Sequence, residues 1–158
     1  MIDIVKFKTD KKFFGFSKIY NFNDFKIIEG GDDDKNRKAL ENRNTDILLS
    51  PEKTRNKDFM HSRDSGLNQV LCKIAKKNEI AIGFNFNEVL ISKNRHLILG
   101  KMMQNVKLCR KYKVNMIIIS GANDEMEMKM PKDLISFGKT IGMTAEEAKK
   151  ALNFKKEK

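Results

Sequence analysis

Histidine, cysteine and tryptophan are scarce or missing in this chain of 158 residues, which has two histidines, two cysteines and no tryptophan. Each shortage removes a class of chemistry. Barrel-type metal phosphoesterases hold two or three ions with several imidazoles plus carboxylates, because the two ligand types together place and tune the metal-bound water. His61 and His96 are too few for that, and His96 lies in a helical region among polar neighbours. Cys72 and Cys109 stand far apart with no CxxC or Cys/His spacing, which argues against a zinc site. Cys109 shares a helical stripe with Met102 and Val106 and reads as a small buried hydrophobe. There is no GxSxG elbow, so Ser120 in "IISGAN" has no assignable base, and no GxGxxG or Walker pattern supports a nucleotide. No run approaches the ~20 apolar residues of a membrane span. "MIDIVKFK" lacks the apolar centre and cleavage site of a signal peptide. A cytoplasmic protein with no membrane contact is expected.

What is abundant is positive charge. Lys plus Arg number 32 against 21 acids, a formal net charge of +11. Such a surplus repels itself unless a polyanion neutralises it, and nucleic acid is the commonest such partner. Lysine-favouring codon usage gives the same composition without a ligand. With eleven Phe but no Trp and two Tyr, stacking on bases is not the obvious mode, and backbone contact by shape and charge fits better.

The length fits one domain able to bury about two-thirds of its unfolded surface. Short β-rich apolar runs at 2–7, 25–30, 46–50, 80–86 and 115–120 alternate with helical patterns at Lys35–Asn42, Ser65–Asn78, Glu88–Lys113 and Pro131–Ile141. The third helical pattern has a possible break near Ser92–Asn94. A last helix is capped by Thr144 with Glu147 reaching back, runs to about Leu152, and leaves 153–158 as a frayed tail. The alternation predicts an α/β fold with parallel pairing and right-handed crossovers. A full eight-unit barrel takes about 250 residues, so there is room here for only about five or six units, in an incomplete barrel or an open sheet.

Functional groups of such folds gather at the carboxyl ends of the strands. Here those ends carry "GGDDDKNR", "SPEKTRNKDFMHSRDSG", then Asn85, Asn87 and Glu88, then "SGANDEMEMK". Asp32, Asp33 and Asp34 either hold Mg²⁺ with waters retained or form a solvated acidic turn capping the helix near Lys35. Gly30, Gly31 and Gly121 either admit a phosphate to backbone N–H groups or simply make turns. In "HSRDSGLNQVL", Asp64 or Ser65 is expected to cap the following helix, whereas the cation of Arg63 opposes the helix's positive end and must point to a phosphate or a carboxylate.

Five stretches in order, "EGGDDDKNRKALEN", "TDILLSPE", "RDSGLNQVLCKIAKKNEIAIGFNF", "NVKLCRKYKVNMIIISGA" and "MPKDLISFGKTIGMTAEEAKKAL", resemble protein component 3 of ribonuclease P, the 30-kilodalton-type subunit of archaea and eukaryotes. The resemblance covers most of residues 25–152. It implies a TIM-barrel-like fold similar to the polymerase-and-histidinol-phosphatase type, incomplete or shortened at the N-terminus before the GGD element, where residues 1–24 are divergent or shortened. It implies a single such domain over 1–158, with no catalytic or metal-binding residue of its own. The implied role is that of a non-catalytic protein that binds and stabilises the catalytic RNA of the complex that removes 5′ leaders from precursor tRNA. Cleavage is then left to the RNA and its Mg²⁺. The implied partners are ribonuclease P RNA, precursor tRNA as the substrate of the complex, and other protein subunits, especially a small RNA-binding-fold subunit in a heterotetramer. A metal-dependent phosphoesterase is the alternative. The linker between "SPE" and "RDSG" is longer than usual, and Gly121 stands where the family commonly has aspartate.

The cations expected to meet RNA are Arg37, Arg63, Lys76, Lys77, Arg110, Lys111 and Lys113. For Arg37 an internal ion pair with Asp46 or Glu52 is the competing reading. For Lys76, Lys77 and the Arg110, Lys111, Lys113 group it is a solvated face, since cations suit the negative ends of helices.

Overall fold

A computed structural model describes residues 1–9, 15–54 and 58–154. Among the described residues there are six strands, β1 (Ile2–Val5), β2 (Lys18–Asn21), β3 (Ile27–Glu29), β4 (Ile47–Leu49), β5 (Ala81–Asn85) and β6 (Met116–Ile119), and each hydrogen-bonded pair is parallel. Helices α1 (Asp33–Glu41), α2 (Gln69–Lys77), α3 (Phe86–Ile91), α4 (Arg95–Tyr112), α5 (Pro131–Thr140) and α6 (Ala145–Ala151) lie between and after them. The hydrogen-bonded ladders are β1-β2 and β3-β4-β5-β6.

Side-chain alternation shows how the two ladders share one interior. Ile4, Ile47, Leu49, Ala81, Ile117 and Ile119 point into a common apolar cluster, joined by Tyr20 of β2 and Ile27 of β3. All six strands therefore contribute to a barrel-like inner layer. The intervening residues Leu48, Ile82, Phe84 and Ile118 point outward against the helices, where they meet Leu40, Leu71, Met102, Val106 and Phe137. Strands covered on both faces need apolar residues at every position, which is why these runs are nearly continuous in Ile, Leu and Phe. Gly83 sits on the inner face of β5, and a Cβ there would stand 2.8 Å from Leu49 Cδ1, so the wide side chain of β4 fills the space left by its neighbour.

Hydrogen bonds at their carboxyl ends join β1 to β6. The Lys6 amide donates to Ala122 O at 2.9 Å. The buried Asp3 carboxylate accepts from the Ser120 amide at 2.8 Å. Burial raises the Asp3 carboxyl to about 6 against the pull of its hydrogen bonds with Ser120 and the Ile4 amide. Between β2 and β3 the link is made by side chains, the Tyr20 and Phe25 rings meeting edge to face at 5.0 Å.

The helix ends follow local chemistry. Thr144 and Glu147 form the reciprocal cap, with Glu147 N donating to Thr144 Oγ1 at 3.1 Å and Thr144 N to Glu147 Oε2 at 2.8 Å. Pro131 opens α5, Gly142 follows it at φ +95°, and the break at 92–94 separates α3 from α4. The helix expected from Ser65 begins instead at Gln69. Asn68 caps it by accepting from Leu71 N at 2.9 Å. Asp64 and Ser65 are excluded as caps because Gly66, at φ +77°, turns the chain onto Pro51, and Asn36 Nδ2 takes the Gly66 carbonyl at 3.0 Å. Strand β2 was not foreseen, since "KIYN" holds a single aliphatic residue. At the other end Phe154 packs near Phe25, ring centroids 6.1 Å apart, while residues 155–158 of the expected tail lie outside the described residues.

Candidate nucleic-acid interface

The carboxyl ends of the strands are crossed by a chain of ion pairs. Lys53, after β4, donates to Glu29 of β3 at 2.8 Å and stands 3.8 Å from Glu88 of α3; Lys6, after β1, lies 3.7 Å from Glu29. The hydrogen bond from Lys53 holds the Glu29 carboxyl below its ordinary range and raises the Lys53 ammonium in turn. These carboxylates are already neutralised by lysines, a poor arrangement for a divalent cation, which needs several free anionic oxygens. Beside them Asn85 caps α3 through Asn87 N at 3.0 Å, and its carboxamide fills the space a side chain at Gly121 would need. Gly121 at φ +61° is thus matched to Asn85.

The segment after β4 is fastened to α4 by buried polar groups. Asn105 Nδ2 donates to Glu52 Oε2 at 3.1 Å and to Ser65 O at 2.9 Å. Glu52 is 3% exposed, and burial pushes its carboxyl up to about 8. Asp58 Oδ1 stands 3.7 Å from the ammonium of Lys101, itself 2% exposed. Arg63 is exposed, and its guanidinium lies against Gly100 of α4, in space that any side chain at 100 would enter. Among the described residues Arg63 makes no ion pair, so its charge is not spent on a carboxylate.

Asp32 caps α1, accepting from Lys35 N at 2.8 Å, with Asp33 and Asp34 in the first turn where anions suit the helix dipole. The capping part of the acidic-turn expectation is thus seen. Arg37 pairs with Glu41 one turn on, Nε to Oε1 at 2.8 Å, and not with Asp46 or Glu52. The reason is directional: Asn36 faces inward to Pro51 and Gly66, so Arg37 is carried to the outer face, away from both acids.

The remaining predicted cations lie at the opposite, amino-terminal end of the strands. Lys76, Arg110 and Lys113 line one cavity of about 590 Å³, floored by Ile80, Val114 and Phe154. Arg110 grips Glu147 with two bonds, 2.8 Å from Nε and 2.6 Å from Nη2, and donates to Gly142 O at 2.7 Å. That grip lowers the Glu147 carboxyl to about 2. Lys77 and Lys111 are exposed outside the cavity, Lys111 standing 5.6 Å from the Tyr112 ring. Sequence reasoning missed Lys150 and Glu79 on the same wall. A signal for the rim was present: the position just past a helix, where glycine is usual, holds Glu79 after α2 and Lys113 after α4.

Fold and surface together define a parallel, barrel-like α/β protein with its usual catalytic mouth bridged by ion pairs and its free cations on two separate faces. The family described as RNase P subunit p30 matches residues 4–158, and the chain belongs to that family. Similar proteins include ribonuclease P protein component 3 of Methanococcus maripaludis strain S2, 39% identical over 126 residues, which are 78% of this chain and 51% of the relative. The component 3 protein of Methanosarcina acetivorans is 33% identical over 159 residues, covering 99% of this chain and 63% of the relative. The chain thus spans about half the length of the Methanococcus protein. A chain in the cryo-EM structure of archaeal ribonuclease P with mature tRNA superposes with a TM-score of 0.77 over 97% of this chain and 87% of that one, at 24% identity, a likeness of fold. Among the described residues no helix is long and apolar enough to cross a membrane.

Proposed function

We propose that this chain is a protein subunit of ribonuclease P, a cytoplasmic ribonucleoprotein endonuclease that removes the 5′ leader from precursor tRNA, and that it supports the reaction without performing it. The observation that carries this reading is family membership across residues 4–158. The ion-paired strand mouth supports the non-catalytic half, because Glu29 and Glu88 are engaged by Lys53 where a nuclease of this fold would need open carboxylates. In this reading the RNA and its Mg²⁺ carry the chemistry, and the chain itself binds no cofactor. Its surplus of +11 is directed at RNA phosphates. Its partners are the ribonuclease P RNA and the other protein subunits, especially a small RNA-binding-fold subunit paired with it in a heterotetramer.

The cations act by displacing counterions from the RNA, so binding of the assembled subunits falls linearly in log–log form as salt rises. The direct test is cleavage of precursor tRNA by the catalytic RNA and the other subunits, with and without this chain. Stimulation by the chain, and no nuclease activity from the chain alone, are expected. Mg²⁺-dependent cleavage by the isolated chain, lost in Asp32→Asn and Asp33→Asn, would overturn the proposal in favour of a metal phosphoesterase.

A further inference from the structure

We propose that the cavity at the amino-terminal end of the strands seats one nucleotide of single-stranded RNA, its phosphate on the ammonium groups of Lys76, Lys113 and Lys150 and its base over the apolar floor. The inference rests on the RNA-binding reading above and adds where, and in what form, the RNA is held. At about 590 Å³ the cavity falls within the size range of small-molecule sites. It is concave, so a base enters only when unstacked, as single-stranded RNA allows and a duplex does not.

The charge on its wall comes from three separate helices. Lys76 lies in the last turn of α2, Lys150 in that of α6, and Lys113 is the residue that ends α4. Of the two acids present, Glu147 is held by Arg110 and by the Thr144 amide, which leaves Glu79 alone facing three lysines. Below them the partly exposed Met116 and Phe154 offer apolar area for a base, with Ile80 and Val114 buried beneath. Asn115 lies at the same wall, and among the described residues its carboxamide makes no hydrogen bond, so donor and acceptor are both available to a base edge.

A second observation comes from the backbone. Glu79 and Lys113 both sit at φ 56°, in the left-handed region that favours glycine. Each follows a helix, at the position where glycine is commonest, and both residues line the cavity. A terminus built only for stability takes glycine there. Strain retained at two points of one rim, with charged side chains as the result, is the pattern of a site kept for binding.

The experiment measures binding of a fluorescein-labelled dodecauridylate to the full chain by anisotropy across a salt series. Lys113→Gly relaxes the backbone while removing an ammonium, so the melting temperature is expected to hold or rise while affinity falls about tenfold. Lys76→Gln with Lys150→Gln is expected to reduce the log–log salt slope by about 0.7 for each lysine. Uridine 5′-monophosphate carries the same base and phosphate, so displacement of the strand at millimolar levels is expected, whereas displacement at micromolar levels assigns the cavity to a free nucleotide, and no displacement at millimolar levels shows that the cavity is not the seat; either overturns the proposal. Wild-type affinity and slope in the folded variants, or no binding by the wild-type chain, also overturns it. The subunit reading is judged separately: if the chain stimulates leader cleavage but the variants bind the strand normally, only the seat fails. If the variants lose the strand while cleavage never depends on the chain, only the subunit reading fails.

Discussion

Replacing Glu52 with glutamine is expected to stabilise the protein at pH 8.5 and to change little at pH 4.5. The carboxyl is buried against α4, where Asn105 donates to Oε2, and Oε1 has no hydrogen-bond partner. Two more buried acceptors nearby, Asn105 Oδ1 and Ser65 Oγ, are likewise without partners. A proton on Oε1 supplies a donor among acceptors, so the neutral acid suits the site better than the carboxylate. Burial is the main cause of the rise to about 8, the Asn105 hydrogen bond opposes it, and of the charges facing Glu52, Glu88 of α3 adds to the rise while Lys101 of α4 lowers it. In the unfolded chain the group titrates near 4.5. Between those values the folded state holds a proton that the unfolded state has released, so stability is fully present below pH 4.5 and falls with rising pH until the folded group also ionises near 8. At about 1.4 kcal/mol per unit the ceiling is about 5 kcal/mol. Glutamine keeps an acceptor for Asn105 and does not titrate. Urea unfolding of both proteins from pH 4.5 to 8.5 checks this, and subtracting the curves removes the separate titration of Asp3. A difference that stays constant across the range would refute a neutral Glu52 in the fold.

Arg110→Ala should cost about 1 kcal/mol at pH 7, by loosening α6 from α4, since the pair is half-exposed and screened. The Glu147 carboxyl is held near 2, so this loss should shrink as pH falls from 4.5 through 2, read by thermal melts of both proteins. Asn68→Ala should cost about 0.5–2 kcal/mol in urea unfolding and Asp64→Ala much less, because Asn68 is the cap of α2. Arg63→Ala, and Gly100→Ala by displacing the same guanidinium, should lower reconstituted leader cleavage with little change in melting temperature. Arg37→Ala should leave the melting temperature nearly unchanged too, its pair with Glu41 being exposed to solvent; a large loss of stability would show a hidden internal role.

The alternation of apolar strands with amphipathic helices settled the α/β class in advance, because strands covered on both faces are mostly apolar along their length, and the few polar residues they hold, such as Asp3 and Asn85, are hydrogen-bonded. The α6 cap was equally legible, since Thr144 and Glu147 interact across three residues and need nothing distant. Only the tertiary structure decided where α2 begins: Gly66 is turned away by Pro51 and Asn36, residues far from it in sequence, and the cap passes to Asn68. The same holds for the cations. Charge and composition pointed to a polyanion, but not to which arginines are already paired, because Arg110 meets Glu147 across 37 residues and Arg63 finds its place on a glycine of another helix. Strand β2 escaped notice because one inward Tyr20 and one Ile19 make no periodic signal; its partner β1 and the shared interior make it a strand. Local chemistry is written in neighbouring residues, whereas a surface that gathers Lys76, Lys113 and Lys150 from three helices exists only once those helices are packed.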